Sequence, residues 1–132
     1  MEKARARRNP SAAKATTSDF KMAVNSRAKG ARNERAWAAM CRSEGYTLTT
    51  RGCQFSGGPD SPDIRCADPE LARIHFEVKS GKRIDVWGAI AQAERDKQLG
   101  KMAVCPLHRD RYEWIIAMPA SDWFRMLRGD HL

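Results

Sequence analysis

The chain has no long apolar run, no C-x-x-C cysteine pair and no internal repeat. Because no stretch approaches the ~20 apolar residues needed to cross a bilayer, we expect no membrane association. The basic N-terminus is not followed by an apolar segment and so does not resemble a secretory signal. We expect a cytoplasmic, intracellular protein, and a chain of 132 residues has room for one domain.

The four cysteines are scattered along the chain, at Cys41, Cys53, Cys66 and Cys105. In an intracellular protein the ordinary expectation is reduced and mostly buried thiols. A zinc site is the alternative, since Cys105 and His108 are three residues apart. The spacing between Cys53 and Cys66 fits no common zinc module, so we favour the thiol interpretation. No small-molecule cofactor is expected.

Positive charge is concentrated at one end of the chain. The formal net charge is +8, and residues 1–29 contribute +6 of it through eight Lys/Arg and two Asp/Glu. Residues 1–26 have no apolar period, so we expect a basic, disordered or loosely structured arm, followed by a folded domain over residues 27–132. Such an arm favours binding to a polyanion through counterion release, although a solubilising tail remains the alternative.

The folded part alternates between helical and strand patterns. A helix is expected from Ser26 to Glu44, ended by Gly45. Asp85 can cap a second helix that ends at Gly100, and Ser121 can cap a final helix. The predicted order is α-β-β-β-α-β-β-α, a mixed α/β sheet flanked by helices. The strands are expected at Tyr46–Arg51, Asp63–Cys66, Arg73–Lys79, Met102–Cys105 and Tyr112–Met118, the last two buried.

The third predicted strand carries the strongest chemical signal. Its alternation of two sends Glu77 and Lys79 to the same face, and Asp63 begins the preceding strand. If the two strands are neighbours, the carboxylates of Asp63 and Glu77 can meet in a hard oxygen site suited to Mg²⁺ or Mn²⁺. A lysine beside them can serve an attacking water. The alternative is a solvated sheet face of mixed charge.

A third carboxylate lies on the first predicted helix. Glu34 is three residues before Trp37, so it projects from or beside the apolar stripe that packs on the sheet. A carboxylate there is costly unless it is paired or binds a metal. The alternative is a glutamate near the helix start, stabilised by the helix dipole.

Together these residues resemble a known family. Pro62-Asp63, followed after thirteen residues by Glu77-Val78-Lys79, is similar to the signature of the PD-(D/E)XK nucleases. The segment from Lys29 to Arg35, which contains Gly-Ala-x-x-Glu-Arg, resembles the opening helix of the archaeal-type Holliday junction resolvases in that superfamily. Similar small proteins occur in phage genomes, which would place this one in the host cytoplasm.

The resemblance implies a restriction-endonuclease-like fold and a role for each matching residue. Glu34, Asp63 and Glu77 would bind Mg²⁺ (Mn²⁺ being possible), with the backbone carbonyl of Val78 as a further ligand. Lys79 would serve the attacking water, and Gln92 would lie near it on the second helix. Phosphates would be held by Arg35, Arg51 and Ser56; Lys82 and Arg83, which follow the catalytic strand, are further candidates.

The expected function is therefore metal-dependent hydrolysis of DNA phosphodiesters, in its most specific form the resolution of branched, four-way DNA by a homodimer in recombination or repair. Two alternatives stay open. One is a nuclease for duplex, nicked or flapped DNA. The other is a non-catalytic DNA-binding module, which is disfavoured because carboxylates repel the phosphate backbone.

Overall fold

A computed structural model describes residues 17–52 and 64–130, with side chains from residue 27 onward. The fold is mixed α/β, as the sequence predicted. Within the described ranges the elements are α1 Thr17–Ser43, β1 Thr49–Arg51, β2 Ile64–Cys66, β3 Ile74–Phe76, β4 Lys79–Ser80, α2 Val86–Asp96, β5 Met102–His108, β6 Ile115–Ala117 and α3 Ala120–Arg128.

The first helix begins earlier than the sequence indicated. It starts at Thr17 rather than Ser26, because no glycine or proline interrupts residues 17–29 and helix propensity carries the backbone through a segment without an apolar stripe. The predicted end is correct to one residue. Gly45 has φ +104°, and the amides of Gly45 and Tyr46 donate to the carbonyls of Arg42 and Cys41, which is a Schellman motif. Residues 1–16 of the predicted arm lie outside the described residues.

The strands form two sheets in the part of the chain that the structure describes. Strands β1 and β2 pair antiparallel, with Thr50 opposite Arg65. In the larger sheet β5 is central: β3 and β4 pair with it in parallel, and β6 pairs antiparallel. The helices therefore flank a sheet that has both parallel and antiparallel strands.

The strand predicted over Arg73–Lys79 is interrupted at Glu77 and Val78. The register is the same on both sides, since Ile74 pairs with Met102 and Lys79 with Leu107. In this register the amides of Met102 and Val104 face the carbonyls of β3, and the next donor would be the amide of residue 106. Pro106 has no N–H, so it cannot donate to the carbonyl of Glu77. The break therefore originates on the opposite strand.

Strand β5 is buried on both faces, which explains the layered architecture. Ala103, Cys105 and Leu107 pack with Ala89 and Ala93 of α2. On the other face Val104 packs with Phe76 and Ile64 and with Ala38 of α1. The small alanines on both helices let their backbones approach the sheet closely, and the sheet lies between α1 and α2.

Several predicted boundaries needed correction. Strand β1 is shorter than predicted, since Thr47 and Leu48 form a turn and Tyr46 lies outside the strand. Helix α2 is capped by Asp85, which accepts from the Gly88 amide at 2.9 Å, but it ends at Asp96 and not at Gly100.

The last three elements also differ from the prediction. Strand β5 continues through Pro106 to His108 instead of ending at Cys105. Strand β6 covers only Ile115–Ala117, and Ile115 and Ile116 are exposed and not buried. Helix α3 starts at Ala120, and its cap position is held by Pro119 and not by Ser121. Within the described residues no helix is both long and apolar enough to cross a bilayer.

Candidate active site

Glu77 and Lys79 point to the same side of the larger sheet, as the alternation predicted. Glu77 is only 4% exposed. Lys79 Nζ lies 3.2 Å from Glu77 Oε1 and donates to Gln92 Oε1 at 3.0 Å. Because Gln92 is on α2, this triad connects the strand to the helix that covers the same face. The structure thus brings together three residues that sequence reasoning assigned to one site.

His75 completes this face of the strand. Its Nε2 lies 3.8 Å from Glu77 Oε2, too far for a hydrogen bond, and it is one of two buried side-chain nitrogens in the described part of the chain that have no hydrogen-bond partner. Burial acts to raise the pKa of Glu77, but His75 and the Lys79 ammonium lower it, and the net pKa lies below its ordinary value. Glu77 is therefore a carboxylate at neutral pH, the form that a cation requires.

Glu34 occupies a second polar cluster, at the junction of α1 and the smaller sheet. It is 7% exposed, and its Oε2 accepts from Arg51 Nε at 2.8 Å. Its predicted projection toward the sheet is correct, and the dipole alternative is not, because α1 begins at Thr17, more than four turns before Glu34. Arg51, which was predicted to hold a phosphate, holds the Glu34 carboxylate in this structure.

The two clusters are joined through a hydrogen bond that the sequence did not reveal. Asn33 Nδ2, beside Glu34, donates to Ser80 Oγ, beside Lys79. Lys79 points toward α2 and Ser80 toward α1, so β4 lies between the two helices. No local pattern pairs residues 33 and 80, since only the packing of α1 on β4 brings them into contact.

The remaining predicted residues fall into two groups. Arg35, Lys82 and Arg83 are exposed, and the Val78 backbone lies at the break between β3 and β4. In the parallel register the odd-numbered positions of this segment bond with β5, so the Val78 carbonyl points to the other edge. Asp63 and Ser56 lie outside the described residues, as does Cys53.

The described residues include oxygen donors of the type that a hard divalent cation binds, but fewer donors than such a cation requires. Glu34, Glu77 and the Val78 carbonyl are all oxygen donors, which Mg²⁺ prefers, but Glu34 and Glu77 lie in separate clusters that the structure does not bring together. No group of three His, Cys, Asp or Glu side chains suited to a metal occurs within residues 27–52 and 64–130. The third expected carboxylate, Asp63, is not among these residues. Cys105, a member of the alternative zinc set, is buried against α2, and burial raises its pKa to about 11.

No family model, no curated protein and no solved structure matches the chain. Any function must therefore be inferred from its own residues and their geometry.

Proposed function

We propose that this protein is a Mg²⁺-dependent DNA endonuclease of the restriction-endonuclease-like type. The observation that carries the proposal is the Glu77–Lys79–Gln92 triad, in which a buried ionised carboxylate and a lysine share one face of a strand. A solvated sheet face would not bury Glu77 to 4% exposure. The spacing of Pro62-Asp63 and Glu77-Val78-Lys79 supports the same assignment.

In this proposal each residue has a defined task. Glu34, Asp63, Glu77 and the Val78 carbonyl would hold the cation, which would polarise a phosphoryl oxygen and help to activate the attacking water. Lys79 orients that water or neutralises charge that develops on the phosphate. Gln92 fixes the Lys79 ammonium by accepting one of its three N–H bonds.

The arginines bind the substrate. Arg35 is exposed on α1, next to Glu34 in the sequence, and contacts a phosphate that flanks the cleaved bond. Arg51 exchanges its partner between the Glu34 carboxylate and a phosphate, since both anions fit the guanidinium fork. Ser56, Lys82 and Arg83 give further phosphate contacts, and the basic N-terminal arm adds non-specific affinity.

Branched DNA cut by a homodimer is the most specific form of this proposal. A resolvase cuts two strands symmetrically, which a C2 dimer achieves naturally. Strand β6 and helix α3 support a dimer because they expose apolar side chains that a monomer gains nothing by exposing: Ile116, Trp123, Phe124 and Leu127. The setting would be intracellular, where such DNA occurs.

Cleavage of a labelled four-way junction beside a linear duplex of the same sequence tests the substrate. Both are incubated with Mg²⁺ or with EDTA, and Asp63→Asn serves as the inactive control. Paired cuts in the junction alone support a resolvase. Metal-dependent cuts in both substrates support the nuclease and contradict a preference for four-way junctions. Tight binding without cuts, with Mg²⁺ and with Mn²⁺, supports the non-catalytic DNA-binding module.

A further inference from the structure

A cleft of about 700 Å³ opens beside the candidate active site. One wall is the segment 108–112, which leaves the end of β5, and the other is formed by Lys29 of α1 and by Gly81 and Lys82 after β4. In the sequence, the run of charged residues at 109–111 between two predicted strands is the signal that indicates this wall.

The cleft is strongly basic. Lys29, Lys82, Arg109 and Arg111 line it, against a single acidic side chain, Asp110. None of the four cations forms an ion pair with any residue that the structure describes, although cations elsewhere, such as Arg51 and Lys97, do. Four unneutralised cations around one concave surface create a positive potential that attracts an anion of several charges.

Two features of the 108–112 segment orient these cations. The Arg109 guanidinium stacks on the Tyr112 ring, 4.9 Å from its centroid, while the ring remains 63% exposed. Stacking holds the guanidinium plane and leaves its edge N–H groups available to a phosphate. Arg111 has φ +70°, and no other described residue except glycine has a positive φ. A left-handed arginine is costly, and such backbone strain tends to occur where function requires it.

The cleft lies next to the candidate active site, because two residues that line the cleft are sequence neighbours of residues in the site. Its floor contains Asn33 and Ser80, which are hydrogen-bonded to each other. Asn33 precedes Glu34, and Ser80 follows Lys79. A phosphate in the cleft would therefore lie beside the backbone that carries Glu34 and Lys79.

We propose that this cleft binds the phosphodiester backbone of DNA next to the cleaved bond, through Lys29, Lys82, Arg109 and Arg111. The inference rests on the proposed nuclease function and adds to it a substrate-binding site on the β5–β6 connection. Contacts of this kind position the strand without reading its sequence, so the cleft contributes affinity and register but no base preference.

Binding measured in EDTA tests the cleft separately from catalysis. By fluorescence anisotropy, Arg109→Ala/Arg111→Ala should bind both duplex and four-way junction at least tenfold more weakly. The slope of log K against log salt should fall by about 2, since two phosphate contacts are lost. The control, Arg95→Ala/Lys101→Ala, removes the same charge at the opposite end of β5, ~20 Å away by strand rise. It should change the affinity less than threefold.

A variant that should keep its stability separates a loss of DNA binding from a loss of folding. Arg111→Gly removes one cation and also the left-handed strain, so it should unfold at the same or a higher denaturant concentration and yet bind DNA more weakly. Weaker binding together with lost stability would show a structural role and overturn the proposal. Unchanged DNA affinity in the double variant would overturn it as well.

Two further outcomes separate the possible failures. If the wild type cuts no DNA but the cleft variants still bind it more weakly than the control, the cleft assignment holds and the nuclease proposal fails. If a mononucleotide competes with DNA for wild-type protein at a concentration close to the DNA Kd, the cleft takes a small phosphate ligand, and the backbone proposal is wrong.

Discussion

At the scale of single residues, the most unusual feature is the burial of two carboxylates. Glu34 and Glu77 are both nearly inaccessible to water, and each has a cationic partner, Arg51 and Lys79. Removing the cation of such a pair takes an opposite charge away from a buried carboxylate, which costs more than the pair gains by forming. Stability measurements can therefore test the pairs without reference to activity.

For the first pair, Arg51→Ala should lower the free energy of unfolding by about 2 kcal/mol, below the ~3–5 kcal/mol of a fully buried pair because Arg51 is partly exposed. Adding Glu34→Gln should restore about 1 kcal/mol, since no carboxylate then lacks its cation. Urea denaturation of the two single variants and the double variant gives the coupling, with the exposed Arg65→Ala as control. If the losses of unfolding free energy in the two single variants simply add in the double variant, the pairing of Arg51 with Glu34 is contradicted.

For Glu77, the lowered pKa predicts a pH dependence of stability. A carboxyl whose folded pKa lies below its unfolded value, near 4.5, stabilises the fold above that pH, and this contribution is lost as the pH falls through the folded pKa. The free energy of unfolding of the wild type should therefore fall below pH 4.5 more steeply than that of Glu77→Gln. Parallel curves for the two proteins would show that the folded pKa is not lowered.

At the scale of elements, some local signals were read correctly, although Ser26, Gly100 and Ser121 do not bound helices, and the non-local signals were missed. Gly45 correctly predicts the end of α1 and Asp85 the start of α2, because each forms its capping hydrogen bond with a residue fewer than four positions away. The alternation of Glu77 and Lys79 was equally visible. The break in the strand that carries them was not, because it arises from Pro106 on a neighbouring strand. The Asn33–Ser80 contact was invisible for the same reason.

The effect of Pro106 on that break can be tested directly. Pro106→Ala supplies the missing N–H, which should donate to the Glu77 carbonyl and join β3 and β4 into one strand. The new amide at position 106 should exchange with solvent roughly a hundredfold more slowly than the new amide in Pro69→Ala, where the proline is exposed. Equally fast exchange at both positions would mean that another feature breaks the strand.

At the scale of the whole molecule, the part of the surface that the structure describes has three regions of different chemistry: the candidate carboxylate–lysine site, the basic cleft beside it, and the apolar surface of β6 and α3. The sequence singled out Glu77 and Lys79 of the first region, but not the Asn33–Ser80 link. It did not predict the other two regions as surfaces, since each depends on where the β5–β6 connection and α3 pack. The apolar surface was assigned in part to the core.

The proposed dimer makes a specific prediction for that surface. Phe124→Glu/Leu127→Glu should convert a dimer into a monomer in sedimentation equilibrium, because two charges cannot be buried unpaired at a symmetric interface. The exposed pair Arg35→Glu/Arg83→Glu, also two substitutions to glutamate, should leave the dimer intact. A wild type that is monomeric at all concentrations would contradict the dimer while leaving the active-site proposal unaffected.

The most direct test of the central claim compares Glu77→Gln with Glu44→Gln in Mg²⁺-dependent cleavage of labelled DNA. Both substitutions remove one negative charge from a glutamate, but Glu44 is exposed beyond the end of α1. We predict that Glu77→Gln cuts at least a hundredfold more slowly while its affinity for DNA in EDTA is equal or higher, and that Glu44→Gln behaves as the wild type. Wild-type cleavage by Glu77→Gln would contradict an active site built around this carboxylate.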